Sequence, residues 1–218
     1  MLSQGILWLF PGITSTPPGS SCIDYTPWPR TWETTERTHP TVNEDKRVLW
    51  EGKYLKLVMR GHWEYVERRN VTGIVCIVAL TDDGKLLLVE QYRPPVGARV
   101  VELPAGLVGD VPGEADEALD AAARRELLEE TGYRAARLEK LFDGAPSAGL
   151  CDEHITFFLA TGLEKVADGG GDDSEDIAVR EVPLGGLLEY LRGRQAAGAI
   201  VDAKIFSPLY VYTMTHRT

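Results

Sequence analysis

Several things that would point to a familiar class of protein are scarce in this chain. Cysteine is the first. Cys22, Cys76 and Cys151 cannot all pair with one another, and none stands in a C-x-x-C or C-x-x-H spacing. That argues against a disulfide framework and against a zinc site. The four histidines, His39, His62, His154 and His216, have no ligand spacing. Long apolar runs are missing too. The stretch 6–10 is too short to span a bilayer, and no basic leader or small-residue cleavage site accompanies it, so it is not read as a signal peptide. The chain is therefore expected to be cytoplasmic, with no membrane partner. Excess positive charge is also lacking. A formal net charge of -10 argues against non-specific binding to nucleic acid or to anionic membrane. A phosphate substrate stays open, because bound cations can reverse a local field.

What is present divides at about residue 45. Residues 1–45 are punctuated by Pro17, Pro18, Gly19, Pro27, Pro29 and Pro40 and read as an irregular arm. Trp8, Tyr25, Trp28 and Trp32 suggest that this arm packs on something. Residues 46–218 read as one domain. RVLWEG, YLKLVMRG and HWEYVERR are short β-type runs, and GIVCIVAL is a buried strand. Asp83-Gly84 predicts a hairpin turn into KLLLVEQY. Residues 114–131 are rich in Ala, Leu, Arg and Glu and predict a helix stopped by Gly132. Strand patterns near 136–142, 154–161 and 177–182 follow, then a short helix from Pro183 to about 192. A last helix over 202–216 is expected to break at Pro208. The class is α+β.

The chemistry sits in Arg125-Glu126-Leu127-Leu128-Glu129-Glu130-Thr131-Gly132-Tyr133. Helical spacing puts Glu126, Glu129 and Glu130 on one face. Seven acids and two arginines lie between Glu114 and Glu130, a balance of 2 − 7 = −5. Hard oxygen ligands in that density select Mg²⁺ or Mn²⁺. Alone, such a triplet is more often a solvated acidic face.

Its surroundings change that reading. The string resembles the box of the Nudix hydrolase family, G-x5-E-x7-R-E-U-x-E-E-x-G-U, where U is bulky and apolar. Glu117, seven residues, Arg125-Glu126, Leu127, Glu129-Glu130, Gly132 and Tyr133 match it. Gly106 departs, with ten residues between it and Glu117 rather than five, so the loop 107–116 is about five residues longer than the family norm. Beyond the box, Glu90-Gln91-Tyr92-Arg93-Pro94-Pro95 and Glu102-Leu103-Pro104-Ala105-Gly106-Leu107 are similar to the ADP-sugar pyrophosphatase branch. So is Trp63-Glu64-Tyr65-Val66-Glu67-Arg68.

The resemblance implies a Nudix-type α/β/α sandwich with a mixed sheet. It implies metal ligation by Glu126, Glu130 and the carbonyl of Ala105, with Glu129 as a further ligand and Arg125 holding the carboxylates. The general base would lie in the late acidic loop. Glu175 is favoured, with Asp173 and Glu153 as alternatives. Arg93 would contact a phosphate, Trp63 would stack on the base, Glu64 would meet its edge, and Arg68 would reach the terminal sugar or phosphate. Leu107 falls on the substrate side. The branch also implies a homodimer built through the N-terminal strands. ADP-ribose is the leading substrate. Ala148 stands where the branch carries a proline associated with ADP-ribose use, so GDP-mannose or another nucleotide sugar follows closely. A nucleotide sensor without catalysis is the rival class.

Overall fold

The structure is a computed structural model that describes residues 45–109, 113, 116–171 and 176–216. Apart from Asp45, the expected arm lies outside the described residues. The chain opens with an antiparallel meander of β1 (Lys46–Glu51), β2 (Leu55–Arg60) and β3 (Trp63–Arg68). Much of its apolar surface is uncovered: Val48, Leu49, Trp50, Tyr54 and Leu55 are all exposed.

Two four-stranded sheets make the main body. One has the order β7 (Ala105–Val108), β4 (Gly73–Ala79), β9 (Ile155–Lys165), β8 (Tyr133–Gly144). In it β4 runs parallel to β9 and antiparallel to β7. The other has the order β10 (Ala178–Pro183), β5 (Lys85–Arg93), β6 (Ala98–Glu102), β11 (Ile200–Val201). Strand β4 explains the layering. Its side chains alternate in direction and both sets are buried. Val75, Ile77 and Ala79 pack with Ala122, Ala123 and Leu127 of helix α1 (Leu119–Thr131). Cys76 and Val78 pack the other way, with Leu86, Leu88 and Val101. That side is closed by Leu187 and Leu191 of α2 (Leu187–Ala196), Ile205, and Leu209 of α3 (Phe206–Thr215). Leu127 is wholly buried, and truncating it to Ala should cost about 2–5 kcal/mol. The α+β class and the helix-flanked mixed sheet agree with the sequence reading. No helix among the described residues is long and apolar enough to cross a membrane.

Three local expectations need correction. Asp83-Gly84 does form a tight turn, with the Gly84 N–H donating to the Thr81 carbonyl at 3.0 Å. It does not join a paired hairpin, since only Leu80 and Leu86 bridge before β5 leaves for the second sheet. The central helix starts at Leu119, not 114, because Ala118 is extended (φ -73°, ψ 145°). Pro208 does not break the last helix. It lies in the first turn of α3, where a missing N–H costs no helical hydrogen bond.

Candidate active site

The last two turns of α1 carry the acids, and Arg125 organises them. Its Nε and Nη2 donate to the two oxygens of Glu117, each at 3.0 Å. Its Nη1 donates to Glu126 at 2.8 Å and Glu129 at 3.1 Å, and Nη2 also reaches the Leu107 carbonyl at 3.0 Å. A planar guanidinium can make such a fork; an ammonium cannot. The hydrogen bonds from Arg125 lower the Glu117 carboxyl, and Glu117 in turn raises the guanidinium. Glu117 also accepts from the Gly109 N–H at 3.4 Å.

Strand β7 lies against this face. Glu130 is 3% exposed and accepts the Ala105 N–H at 3.0 Å. A Cβ on Gly106 would stand 1.8 Å from the Glu126 carboxyl carbon, so only glycine lets that carboxylate approach the strand. At the helix end, Gly132 adopts the left-handed conformation (φ 76°, ψ 10°) and donates to the Leu128 carbonyl at 2.8 Å. A Cβ there would strike the Ala167 carbonyl oxygen at 2.1 Å. The following loop caps the helix. The N–H groups of Gly170 and Gly171 donate to the carbonyls of Glu130 and Glu129 at 2.9 and 3.0 Å. These are carbonyls that a helix end otherwise leaves unpaired. The acidic loop is thus tied directly to the glutamates.

These residues fall within a stretch, 71–203, that matches the family model described as NUDIX domain. The chain belongs to the NUDIX domain family. Two curated relatives each share 37% identity over 133 residues, 61% of this chain and 67% of their own length. They are the methanol dehydrogenase activator of Bacillus methanolicus and the ADP-ribose pyrophosphatase of Bacillus subtilis. A GDP-mannose pyrophosphatase of Enterobacter is 30% identical over 155 residues, 67% of this chain and 75% of that protein. A solved structure, an ADP compounds hydrolase, superposes with a TM-score of 0.54 at 21% identity. It covers 70% of this chain and 86% of its own, which supports the Nudix fold.

Around the Nudix helix the remaining candidates separate. Arg93 donates from Nε to Glu102 at 2.8 Å across the β5–β6 pair. Burial lifts the Glu102 carboxyl above its usual range, and Arg93 works against that lift. Trp63 is 54% exposed, and its indole N–H donates to the Gly149 carbonyl at 3.2 Å. The loop 147–152 is docked on β3 beside it, with the Val66 N–H donating to the Leu150 carbonyl at 2.8 Å. Glu64 is exposed and, being next in the strand, faces away from Trp63. Arg68 and Glu153 are engaged with each other at 2.5 Å. Asp173 and Glu175 lie outside the described residues. The next residue, Asp176, accepts from Arg99 at 2.9 Å.

Sequence reasoning missed a second charged centre. Glu90, 1% exposed, meets Arg194 at 2.7 Å and Arg99 at 3.2 Å, with Arg180 at 4.0 Å. No spacing rule joins residues 90, 99, 180 and 194. The only signal was an acid inside the apolar run LLLVEQY.

Proposed function

We propose that this chain is a divalent-metal-dependent pyrophosphatase acting on a nucleoside diphosphate sugar, with ADP-ribose as the leading substrate. The observation that carries the reading is the Arg125 fork. It gathers Glu117, Glu126 and Glu129 while β7 brings Ala105 and Gly106 against Glu126 and Glu130. Water adds to one phosphorus, the bridging P–O bond breaks, and AMP and ribose 5-phosphate leave.

The residues suit Mg²⁺ in their donor chemistry. All are hard oxygens, and one arginine among three carboxylates leaves negative charge in excess. Among the described residues no three acid, histidine or cysteine side chains converge on one point. An ion here would take one or two carboxylates and the Ala105 carbonyl, and complete its shell with water and phosphate oxygens, as Mg²⁺ prefers. Glu126 and Glu130 would hold it, with Glu129 more peripheral. When bound, the ion neutralises the pyrophosphate and acidifies water. Arg125 keeps the carboxylates in place. The base would come from the loop tethered at Gly170 and Gly171, with Glu175 favoured, and Glu175→Gln should lower kcat by roughly 10²–10⁴. Glu153 is a weaker alternative because Arg68 already engages it. That same pairing weakens Arg68 as a sugar contact. Trp63 would stack on the base, Glu64 meeting its edge only if the base lies at the strand rim. Arg93 would take a phosphate, with Leu107 lining the same side. The uncovered apolar surface of β1 and β2 supports a homodimer, and residues 46–218 acting as one unit in the cytoplasm complete the reading.

GDP-mannose is the second reading, favoured by Ala148 and by the relatives of that name. A panel of nucleotide sugars with Mg²⁺ tests both. AMP and ribose 5-phosphate from ADP-ribose support the first, GMP from GDP-mannose the second. No hydrolysis of any member would sink the proposal.

A further inference from the structure

The Nudix helix supplies negative charge, and Arg125 is occupied by carboxylates. A pyrophosphate also needs cations from the protein. One such group is built on the end of β6, which stands just ahead of Ala105 in the chain. Strands β6 and β11 run parallel, with Val100 opposite Ile200 and Val101 opposite Val201. The next residues, Glu102 and Asp202, therefore stand side by side on one face. The Asp202 N–H donates to the Val101 carbonyl at 2.9 Å, and its side chain accepts the Lys204 N–H at 2.8 Å, opening the 3₁₀ turn Ala203–Ile205.

Each carboxylate has its own cation. Arg93 is on Glu102 at 2.8 Å, and the Lys204 ammonium is on Asp202. The carboxylates are largely covered, each side chain 12% exposed. The cations face outward, at 43% for Arg93 and 35% for Lys204. The four charges sum to zero, yet their arrangement presents positive ends to solvent, the polarity an anion seeks. Their place relative to the site follows from the chain: Glu102 ends β6 three residues before Ala105, whose N–H donates to Glu130 at 3.0 Å.

We propose that Lys204 is a substrate-positioning residue. With Arg93 it forms a pair of cations that binds the phosphates of the nucleotide sugar opposite the acidic helix, while Asp202 and Glu102 orient the two. This rests on the pyrophosphatase reading above and adds a residue to it.

The bland explanation is that Lys204 merely neutralises Asp202, and a double variant separates the two. Lys204→Met, Lys204→Arg and Asp202→Asn/Lys204→Met are compared with the full-length wild type in Mg²⁺. The readouts are Tm, KM and kcat for ADP-ribose, and Kd for its methylene-bridged, uncleavable analogue. Lys204→Met should raise KM and Kd about tenfold, the scale of one charge-assisted hydrogen bond, with kcat within about threefold. Lys204→Arg should restore most of the binding. The double variant should recover Tm but keep the raised KM and Kd. Wild-type KM and Kd in the double variant would overturn the assignment while leaving the pyrophosphatase reading intact. A wild type that neither hydrolyses ADP-ribose nor binds the analogue would bring down both.

Discussion

The two charged centres of this molecule are inverses of each other. Around α1, one arginine serves three carboxylates; around β5, one carboxylate serves three arginines. Both are held by forked or multiple ion pairs, so neither differs from the other in kind of bond. They differ in what sits at the hub. Arg125 is a donor hub on α1, and Glu126 and Glu130 of the same helix face the β7 backbone at Gly106 and Ala105. Glu90 is an acceptor hub sunk in a strand, and its arginines fan outward from β6, β10 and α2. On the proposed function, the first arrangement gathers charge for a ligand. The second staples three elements to β5. An ion-pair cluster is therefore legible as site or staple from the sign and burial of its hub.

Breaking the hubs one at a time tests this contrast. The largest effect on activity should come from Arg125→Lys. An ammonium cannot serve Glu117 bidentately and also reach Glu126, Glu129 and Leu107. Loss of such a supporting shell typically costs 10–100-fold. Steady-state kcat/KM should fall by about that factor while Tm changes little. If activity survived, Arg125 would be as structural as Glu90.

Glu90→Gln should do the reverse. Breaking a buried pair costs about 3–5 kcal/mol, and the partial exposure of all three arginines lowers this to about 2–3 kcal/mol. Urea denaturation should show that loss, with kcat/KM within about threefold. A large activity defect at wild-type stability would make the second centre part of the chemistry.

The smallest effect sharpens the frame that both centres share. Tyr133, which directly follows the C-cap of α1, donates its hydroxyl to Glu181 of β10 at 2.5 Å. Burial, with that bond added, pushes its pKa up to about 12 from an ordinary 10. A raised folded value means that the stability is present below pH 10 and is lost as pH rises from 10 toward 12. Wild type should lose stability through that window more steeply than Tyr133→Phe. Parallel slopes in pH-dependent denaturation would remove Tyr133 from the account.

The acidic helix was readable because its chemistry is local: Arg125, the glutamates and Gly132 lie at fixed offsets along one element. Its start was not. Residues 114–118 have a helix-forming composition, and only the fold reveals that Glu117 must turn back to Arg125. Asp83-Gly84 likewise announces a turn, but nothing local says that the strands on either side will join different sheets. Arg93 was expected to meet a phosphate, yet its ion pair with Glu102, which stands opposite Val89, depends on how β5 and β6 register. The Glu90 and Asp202 centres are assembled from separated segments, and no single stretch of sequence carries either.

One feature of the sheet bears on how the chain is made. Strand β4 is bordered by β7 and by β9, and its parallel partner arrives late: Ile74 pairs with Ile155. Parallel pairing across about 80 residues is slow to close. During synthesis α1 must emerge well before the sheet it will lean on is complete. Through that interval Ala122, Ala123 and Leu127 of α1 stand without Phe158 and Ala160 of β9, the residues that complete their core.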